Sequence, residues 1–472
     1  FIFSSVEDYP STLVRREKMT DETVDSTQSR EIRNSQGHAL NNDVPPGKFK
    51  EHPTDRNHPL KCPLIWLNGK RIDDNIGPYW RIHNKLYDLT DFINRHPGGR
   101  TWLECTKGTD ITEAFESAHI SLAAEKILPK YFVKDIHTPR NSPYTFHEDG
   151  FYRTLKRKVR PILEKTGRGP SLGMIIIQDG LLLAFLSLLI TGSLSDSYAR
   201  VILAGFFLSM TCMCAHNFFH QRDNFRMYYF DLTLMSSFDW RISHSLSHHL
   251  FTNTRYDFEI SMLEPYWEFL PDPKKTLTKR YGSYFYELLL LPHIFYLEII
   301  KKIILIWKKK IFIRPENILP LVELVVMCLL APSIGDGIRL WFVMHSASST
   351  WFLFIGIFVA HHHPEIYHEG DKFRTNPDWG LCQMDAVRDR NEITGNLFLV
   401  STTFGDHTLH HLLPTVDHSK LDALYPAFFE TCEEFNIPFE FLSSWDLLKG
   451  KYRQLANNTP NTSQPGYKAK AH

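Results

Sequence analysis

The chain has 472 residues, enough for two to four domains and for a sizeable buried core. Its 53 Lys and Arg balance 53 Asp and Glu, and zero net charge argues against a nucleic-acid partner, which is a polyanion. The 24 histidines exceed ordinary usage and fall in clusters, and clustering turns an excess into chemistry.

Residues 1–60 are polar, rich in Ser, Thr, Asn, Asp and Pro, and without sustained periodicity, which predicts a mostly disordered tail. The first stretch, FIFSSVEDYPSTLVRREK, lacks a basic region followed by a long apolar run and does not read as a secretory signal. A start at Phe1 rather than Met leaves room for residues before it. The seven cysteines (Cys62, Cys105, Cys212, Cys214, Cys328, Cys382, Cys432) are odd in number and scattered, so reduced thiols are expected rather than a disulfide framework. Cys212 and Cys214 read as small packing residues inside an apolar run, for want of a second pair to make a soft-metal site.

A compact segment follows over 61–139. Within it, YWRIHNKLYDLTDFINRHPGGR (79–100) ends in His96-Pro97-Gly98-Gly99, and His119 closes TKGTDITEAFESAH 23 residues after His96. Two neutral imidazoles approaching from opposite faces are what a low-spin haem iron needs for electron transfer without a vacant oxygen site. Carried by HPGG, the upstream YDLTDF and the spacing of the second His, this segment resembles the cytochrome b5 domain. The resemblance implies haem b with His96 and His119 as axial ligands, and it places Trp80, Tyr87, Gly108, Asp110 and Phe115 at positions of the family's pattern. Glu116 and His119 also spell Glu-x-x-His, a soluble di-iron pair. That use needs partner carboxylates on other helices, and the other copy, Glu365 to His368, lies beyond the apolar runs.

After a basic approach, FYRTLKRKVR (151–160), the chain changes character. MIIIQDGLLLAFLSLLITG (174–192) and ARVILAGFFLSMTCMCA (199–215) are apolar for about the roughly 17–25 residues that cross a bilayer, joined by a minimal loop. ENILPLVELVVMCLLAPSIG (316–335) and IRLWFVMHSASSTWFLFIGIFVA (338–360) predict a second hairpin. The stretch 286–310 carries Pro292, Glu298, Lys301 and Lys302 and is expected as an interfacial amphipathic helix, with a fifth crossing the lesser option. Two hairpins put everything else on one side. Lys156, Arg157, Lys158, Arg160, Lys301, Lys302 and Lys308–Lys310 crowd there against only Arg200 and Arg339 in the tight loops, so that side is expected to be cytosolic. Gln178, Asp179 and Glu323 are costly in lipid and predict polar helix contacts or a pocket lining.

Four histidine clusters follow the same side. CAHNFFH gives His216 and His220 at i, i+4; RISHSLSHHLFTN gives His244, His248 and His249; VAHHHPEIYHEGD gives His361, His362, His363 and His368; FGDHTLHHLLPTVDH gives His407, His410 and His411 at i, i+3, i+4, expected to point one way. Many imidazoles with few carboxylates suit a transition metal, and an attached haem donor favours iron over redox-silent zinc. In the second cluster an ideal helix turns His249 away from His244, so a helix start or local bulge is needed to focus all three.

HNFFH, HSLSHH and HTLHH together resemble the three histidine boxes of membrane fatty acid desaturases and related lipid hydroxylases, over about residues 150–445. The order of haem segment, basic approach, hairpin, two boxes, hairpin and third box is that of the cytochrome b5-fused desaturases. The fold implied is a small α+β cytochrome b5-like haem domain (61–139) followed by an all-α polytopic membrane domain (150–445), with four transmembrane helices in two hairpins, a cytosolic His-rich cap and a C-terminal tail (446–472). The resemblance implies two iron ions held by His216, His220, His244, His248, His249, His407, His410 and His411, with a further ligand near the end of the last crossing. His361 is preferred there over His362, His363 and His368, and His293, His345 and His418 are expected to be bystanders. It further implies O2-dependent desaturation of a fatty acyl lipid in the bilayer, with electrons from an NADH-cytochrome b5 reductase-type donor. Lipid hydroxylation, or a haem electron carrier with an inactive desaturase-like domain, are the alternatives. The third box begins with His where front-end acyl desaturases usually carry Gln, so their regiochemistry is not copied. Lys468 and Lys470 in the terminal KAKAH stand as in a dilysine retrieval signal, consistent with an endoplasmic-reticulum membrane protein whose termini are both cytosolic.

Overall fold

The computed structural model describes residue 49, residues 53–357 and residues 360–464, with 356 and 357 as backbone alone. The tail expected over 1–60 lies mostly outside the described residues, as do Lys468 and Lys470.

Helix α1 (Pro63–Asp74) starts on a proline whose ring presets the first turn, and ends on Asn75 in the left-handed region. It buries Trp66 and Leu67 in one cluster with Phe251 and Tyr256 of the later chain, and the Trp66 indole donates to the Tyr256 carbonyl at 3.1 Å. A small antiparallel sheet follows. Strands β1 (Trp80–Ile82) and β2 (Lys85–Tyr87) pair Trp80 with Tyr87, and β3 (Phe132–Asp135) adds to the other edge of β2. Between β2 and β3 lie a 3-10 turn (Thr90–Arg95), α2 (Arg100–Thr106) and α3 (Thr112–Ala118). Trp80, fully buried, anchors this unit's own core with Ile82, Leu89, Leu103 and Phe115, and its indole donates to Leu103 O and Thr106 Oγ1.

Helix α4 (Phe151–Thr166) buries Phe151, Tyr152, Leu155 and Val159 completely, a helical spacing with one apolar face. The hairpin of α5 (Leu172–Leu194) and α6 (Tyr198–Phe219) is capped by Ser171 and Ser197, whose side chains accept from Met174 N–H and Arg200 N–H. Among the described residues these two helices are long and apolar enough to cross a membrane. The expected interfacial stretch forms α7 (Ser283–Leu290), a 3-10 turn at Leu291–His293 containing Pro292, and α8 (Ile294–Trp307). Neither helix reaches crossing length. Their outer faces leave Leu288, Leu289 and Trp307 exposed, with Phe285 at 82%.

The expected third and fourth crossings are α9 (Leu319–Leu330), entered through a 3-10 turn at Pro315–Ile318, and α10 (Ile334–Trp351), which continues as a π-helix over Phe352–Ile357. With 12 residues α9 spans only about 18 Å, because the chain leaves the helical region at Ala331 and Pro332 cannot continue it. Asp336, Arg339, Ser346, Ser348 and Ser349 make α10 more polar than α5 or α6. Gly205 lets α6 close on α10, since a Cβ there would overlap the Met344 carbonyl. The polar groups within these helices make contacts between elements. Gln178 donates to Thr211 O at 3.2 Å, Asp179 pairs with Arg226 at 2.7 Å, and Glu323 lies 3.2 Å from His345 Nε2. All seven cysteines are free.

Two short helices, α11 (Trp379–Asp385) and α12 (His407–Leu412), complete the histidine-rich end. The segments bearing histidines contribute both to the core around the apolar helices, through Phe219 and Phe404, and to the second core, through Leu250, Leu409 and Leu412.

Candidate metal centre and haem site

His216 and His220 share one face at the end of α6, with Nε2 atoms 2.9 Å apart. The second cluster lies on the segment Arg241–His248, which is wound as a π-helix. Its wider i→i+5 turn brings residues five apart onto one face, and the Nε2 atoms of His244 and His249 stand 3.0 Å from each other. His248 faces elsewhere. Its Nε2 lies 3.0 Å from His361 Nε2, on the segment after the second π-helix.

The third box divides, contrary to the expectation that His407, His410 and His411 point one way. His410 Nε2 lies 3.3 Å from His216 Nε2, whereas His407 Nε2 lies 2.6 Å from His361 Nε2. On a helix, neighbouring residues diverge by about 100°, so His410 and His411 flank His407 on opposite sides. Their ring planes stand 89° apart.

Two buried groups result. In the first, ligand nitrogens of His216, His220, His244, His249 and His410 all lie within 4.8 Å of one another; in the second, those of His248, His361 and His411 do, with His407 beside His361. The competitors of His361 stand apart. His362 stacks on Phe269 and sits 3.4 Å from His368 Nε2, and His363 packs beside Gly450. His418 is no bystander: it is buried, and its Nε2 lies 3.2 Å from His410 Nδ1, behind the first group.

Four outward ring nitrogens are held by acceptors, whereas the buried Nδ1 of His216, His249 and His407 has no partner among the described residues. His244 Nδ1 bonds Glu259 at 2.8 Å, His248 Nδ1 bonds Asp257 at 2.9 Å, His361 Nδ1 bonds Ala386 O at 3.1 Å and His411 Nδ1 bonds Gln383 Oε1 at 3.1 Å. An Nδ1–H that donates outward leaves the Nε2 lone pair facing in, the tautomer a metal takes. Burial, reinforced by neighbouring imidazoles, holds His220, His249, His361, His407, His410 and His411 well below the usual histidine pKa. Neutral imidazoles converging in numbers beyond one tetrahedral site fit a pair of transition-metal ions. Burial would lower His248 as well, but the carboxylates of Asp257 and Glu259 raise it to about 9, so a cation held there would take the place of the Nε2 proton.

The haem-type pair is built more simply. His96 ends the 3-10 turn and His119 ends α3; their ring centroids stand 6.2 Å apart with planes at 73°. Two imidazoles ligating one iron through Nε2 at about 2 Å put their centroids about 6 Å apart, so the gap fits. The Nδ1–H of His96 donates to Gly99 O at 3.0 Å and that of His119 to Phe115 O at 2.9 Å, which turns both Nε2 atoms to the gap. Gly99 adopts φ +112, a region that favours glycine, and a Cβ there would meet Asp223. Burial pushes the His119 pKa down to about 4.

Residues 196–443 match the family model of fatty acid desaturases, more than half of the chain, and residues 69–137 match that of the cytochrome b5-like haem/steroid binding domain. The chain belongs to the fatty acid desaturase family. It is 40% identical over 424 residues to the cytochrome b5-related protein of Drosophila melanogaster, covering 89% of this chain and 97% of that one. It is 22% identical over 402 residues to Delta(5) fatty acid desaturase A of Dictyostelium discoideum, covering 76% and 85%. Over 68 residues, 14% of this chain and 45% of the relative, it is 38% identical to human cytochrome b5 type B. No solved structure matches the chain.

In this desaturase-family chain the residues that sequence reasoning missed are the ones behind the histidines. Asp257 and Glu259 lie in RYDFE (255–259), directly after the second box, and two acids so close to three histidines were the available signal. Asp417 receives hydrogen bonds from Asn217 at 2.8 Å and Gln221 at 2.9 Å, tying the third-box loop to the end of α6 and setting His418 in place. Gln383 on α11 had no motif to mark it.

Proposed function

We propose that the chain is a multi-pass membrane oxidoreductase that desaturates a fatty acyl chain with O2, using electrons delivered through its own haem segment. The observation that supports it most is the convergence of two buried imidazole groups, with the outward nitrogens of His244, His248, His361 and His411 held by acceptors, in a chain that also carries the paired imidazoles of His96 and His119. One iron would be held by His216, His220, His244, His249 and His410, the other by His248, His361, His407 and His411, and haem b by His96 and His119. When bound, the iron pair supplies O2 activation and hydrogen removal at an unactivated carbon, and the bis-histidine haem supplies single electrons without an open oxygen site.

The chain's own residues do the rest. Glu259, Asp257, Gln383 and the Ala386 carbonyl fix four rings so that their Nε2 atoms converge. The full burial of His216, His249, His410 and His411 keeps bulk water from the centre. The overall reaction takes –CH2–CH2–, O2, two electrons and two protons to –CH=CH– and two waters. An NADH-cytochrome b5 reductase-type donor is the electron source.

The exposed leucines of α5, together with Phe285, Leu288, Leu289 and Trp307 of α7 and α8 and Leu321, Val325 and Leu329 of α9, favour a lipid surround. On this reading the α5/α6 and α9/α10 hairpins provide four crossings, and both termini and the histidine groups face the cytosol at the endoplasmic reticulum. Lipid analysis of cells expressing the protein tests the reading, with His410→Ala as control. A new double bond lost in the control is expected; a new hydroxyl instead would redirect it to hydroxylation, and no change in any lipid would sink both.

A further inference from the structure

The seam between the haem segment and the histidine-rich end is not an open hinge. Glu116, on α3 three residues before His119, is buried and receives Lys156 at 3.1 Å and His83 at 2.8 Å, with Arg153 also paired to it. Arg140, in the connecting chain, pairs with Asp110 at 2.7 Å and Glu113 at 2.5 Å. The haem segment is therefore locked against α4, and what lies across the lock is specific.

Tyr152 of α4 is fully buried there. Its hydroxyl donates to the Leu412 carbonyl at 2.9 Å and lies 3.3 Å from the Glu116 carbonyl. Leu412 follows His411 directly. On the other side, the Phe115 carbonyl that accepts from His119 Nδ1–H belongs to the same peptide as the Glu116 nitrogen. The ring of Tyr152 packs edge-on against Trp379, with centroids 4.6 Å apart, and the Trp379 indole donates to the Leu250 carbonyl at 3.2 Å; Leu250 follows His249. One aromatic pair thus connects the His119 helix with a histidine of each buried group, His411 of the second and His249 of the first. A second bridge runs from Thr415 Oγ1 to the Ala118 carbonyl at 3.1 Å.

We infer that Tyr152, backed by Trp379, is the positioning residue that couples electron transfer from the haem site to the paired metal groups. The inference rests on the function proposed above. Electronic coupling decays less across covalent and hydrogen bonds than across empty contacts, and here a hydrogen bond closes the Leu412 side of the seam while a 3.3 Å oxygen–oxygen contact closes the Glu116 side, both at a buried tyrosine. Each passage would take one electron from a haem held by His96 and His119, ferrous to ferric, and would deliver it to a metal pair held by the two histidine groups. Two passages, with two protons and O2, balance one double bond and two waters, the reductant being the nicotinamide-fed reductase named above. Tyr152 remains a neutral phenol throughout and is neither oxidised nor deprotonated.

The test uses the purified full-length protein in lipid vesicles, its haem reduced anaerobically by NADH and a trace of reductase, then mixed with oxygenated buffer containing acyl lipid. Return of the haem absorbance to the ferric form is the readout, and His410→Ala sets the background of direct haem oxidation. Tyr152→Phe is expected to slow the metal-dependent phase at least about fivefold, with haem content, haem potential and the iron-to-haem ratio unchanged. Thr415→Val is expected to slow it less. Tyr256→Phe, which removes a hydroxyl bonded to Asp73 elsewhere on the seam, is expected to leave it unaltered. A Tyr152→Phe rate equal to wild type, or equal slowing by Tyr256→Phe, overturns the inference while the proposed function stands. A wild-type trace no faster than His410→Ala removes the proposed function itself, and the inference with it.

Discussion

His244 and His249, five residues apart, bring their Nε2 atoms to 3.0 Å because the turn between them is π rather than α. The same winding sends His248 to the other buried group, so a three-histidine box serves two centres. His244→Ala or His249→Ala is expected to remove iron from the first group while the second and the haem remain. The non-haem iron per haem, measured by elemental analysis beside the haem absorbance, is expected to fall by about half in each variant. Unchanged iron in both would show that the π-turn serves packing alone.

The acceptors behind the rings carry a separate expectation. Asp257→Asn and Glu259→Gln keep the side-chain volume but weaken the bond that orients His248 or His244. Each is expected to lower iron affinity about 10- to 100-fold, read from iron loss against a graded chelator, with little change in thermal unfolding of the iron-free protein.

The haem site is expected to fail independently. His96→Ala and His119→Ala should abolish the low-spin haem spectrum while leaving non-haem iron intact, because the two sites share no side chain.

The seam has an acid limit. Burial alone would raise the pKa of Glu116, but the hydrogen bond from His83 and the charges of Lys156 and Arg153 hold it down to about 2 from the usual 4.5. A carboxyl depressed on folding stabilises above its unfolded pKa and loses that contribution as pH falls through its folded one. The seam is thus expected to weaken between pH 4.5 and 2, by about 3 kcal/mol in all. Thermal unfolding of wild type and Glu116→Gln checks this: the variant should be the less stable at neutral pH, and the difference should shrink across that window.

Much of this was legible in the sequence, and the limits are physical. HPGG with a histidine 23 residues on, and three boxes with helical spacing, marked the residues that the structure gathers. Their partition into two groups was hidden, because i, i+3, i+4 spacing gives one face only in the mean, and α12 is a six-residue helix entered from two left-handed residues, Phe404 and Asp406. His418 lacked any periodic tie to the third box; Asn217 and Gln221, 196 or more residues away, fix Asp417 beside it. Hydropathy marked 316–335 as apolar but not that its helix stops at Leu330. The seam through Tyr152 joins residues from five separated stretches and has no local signature.

The central claim is that one haem and two further metal ions share this chain. Iron and haem counted together on the purified full-length protein test it most directly. About three irons per chain for each haem are expected, falling to about two in His410→Ala with the haem retained. One iron per haem in the wild-type protein, after iron-replete expression, would contradict the account.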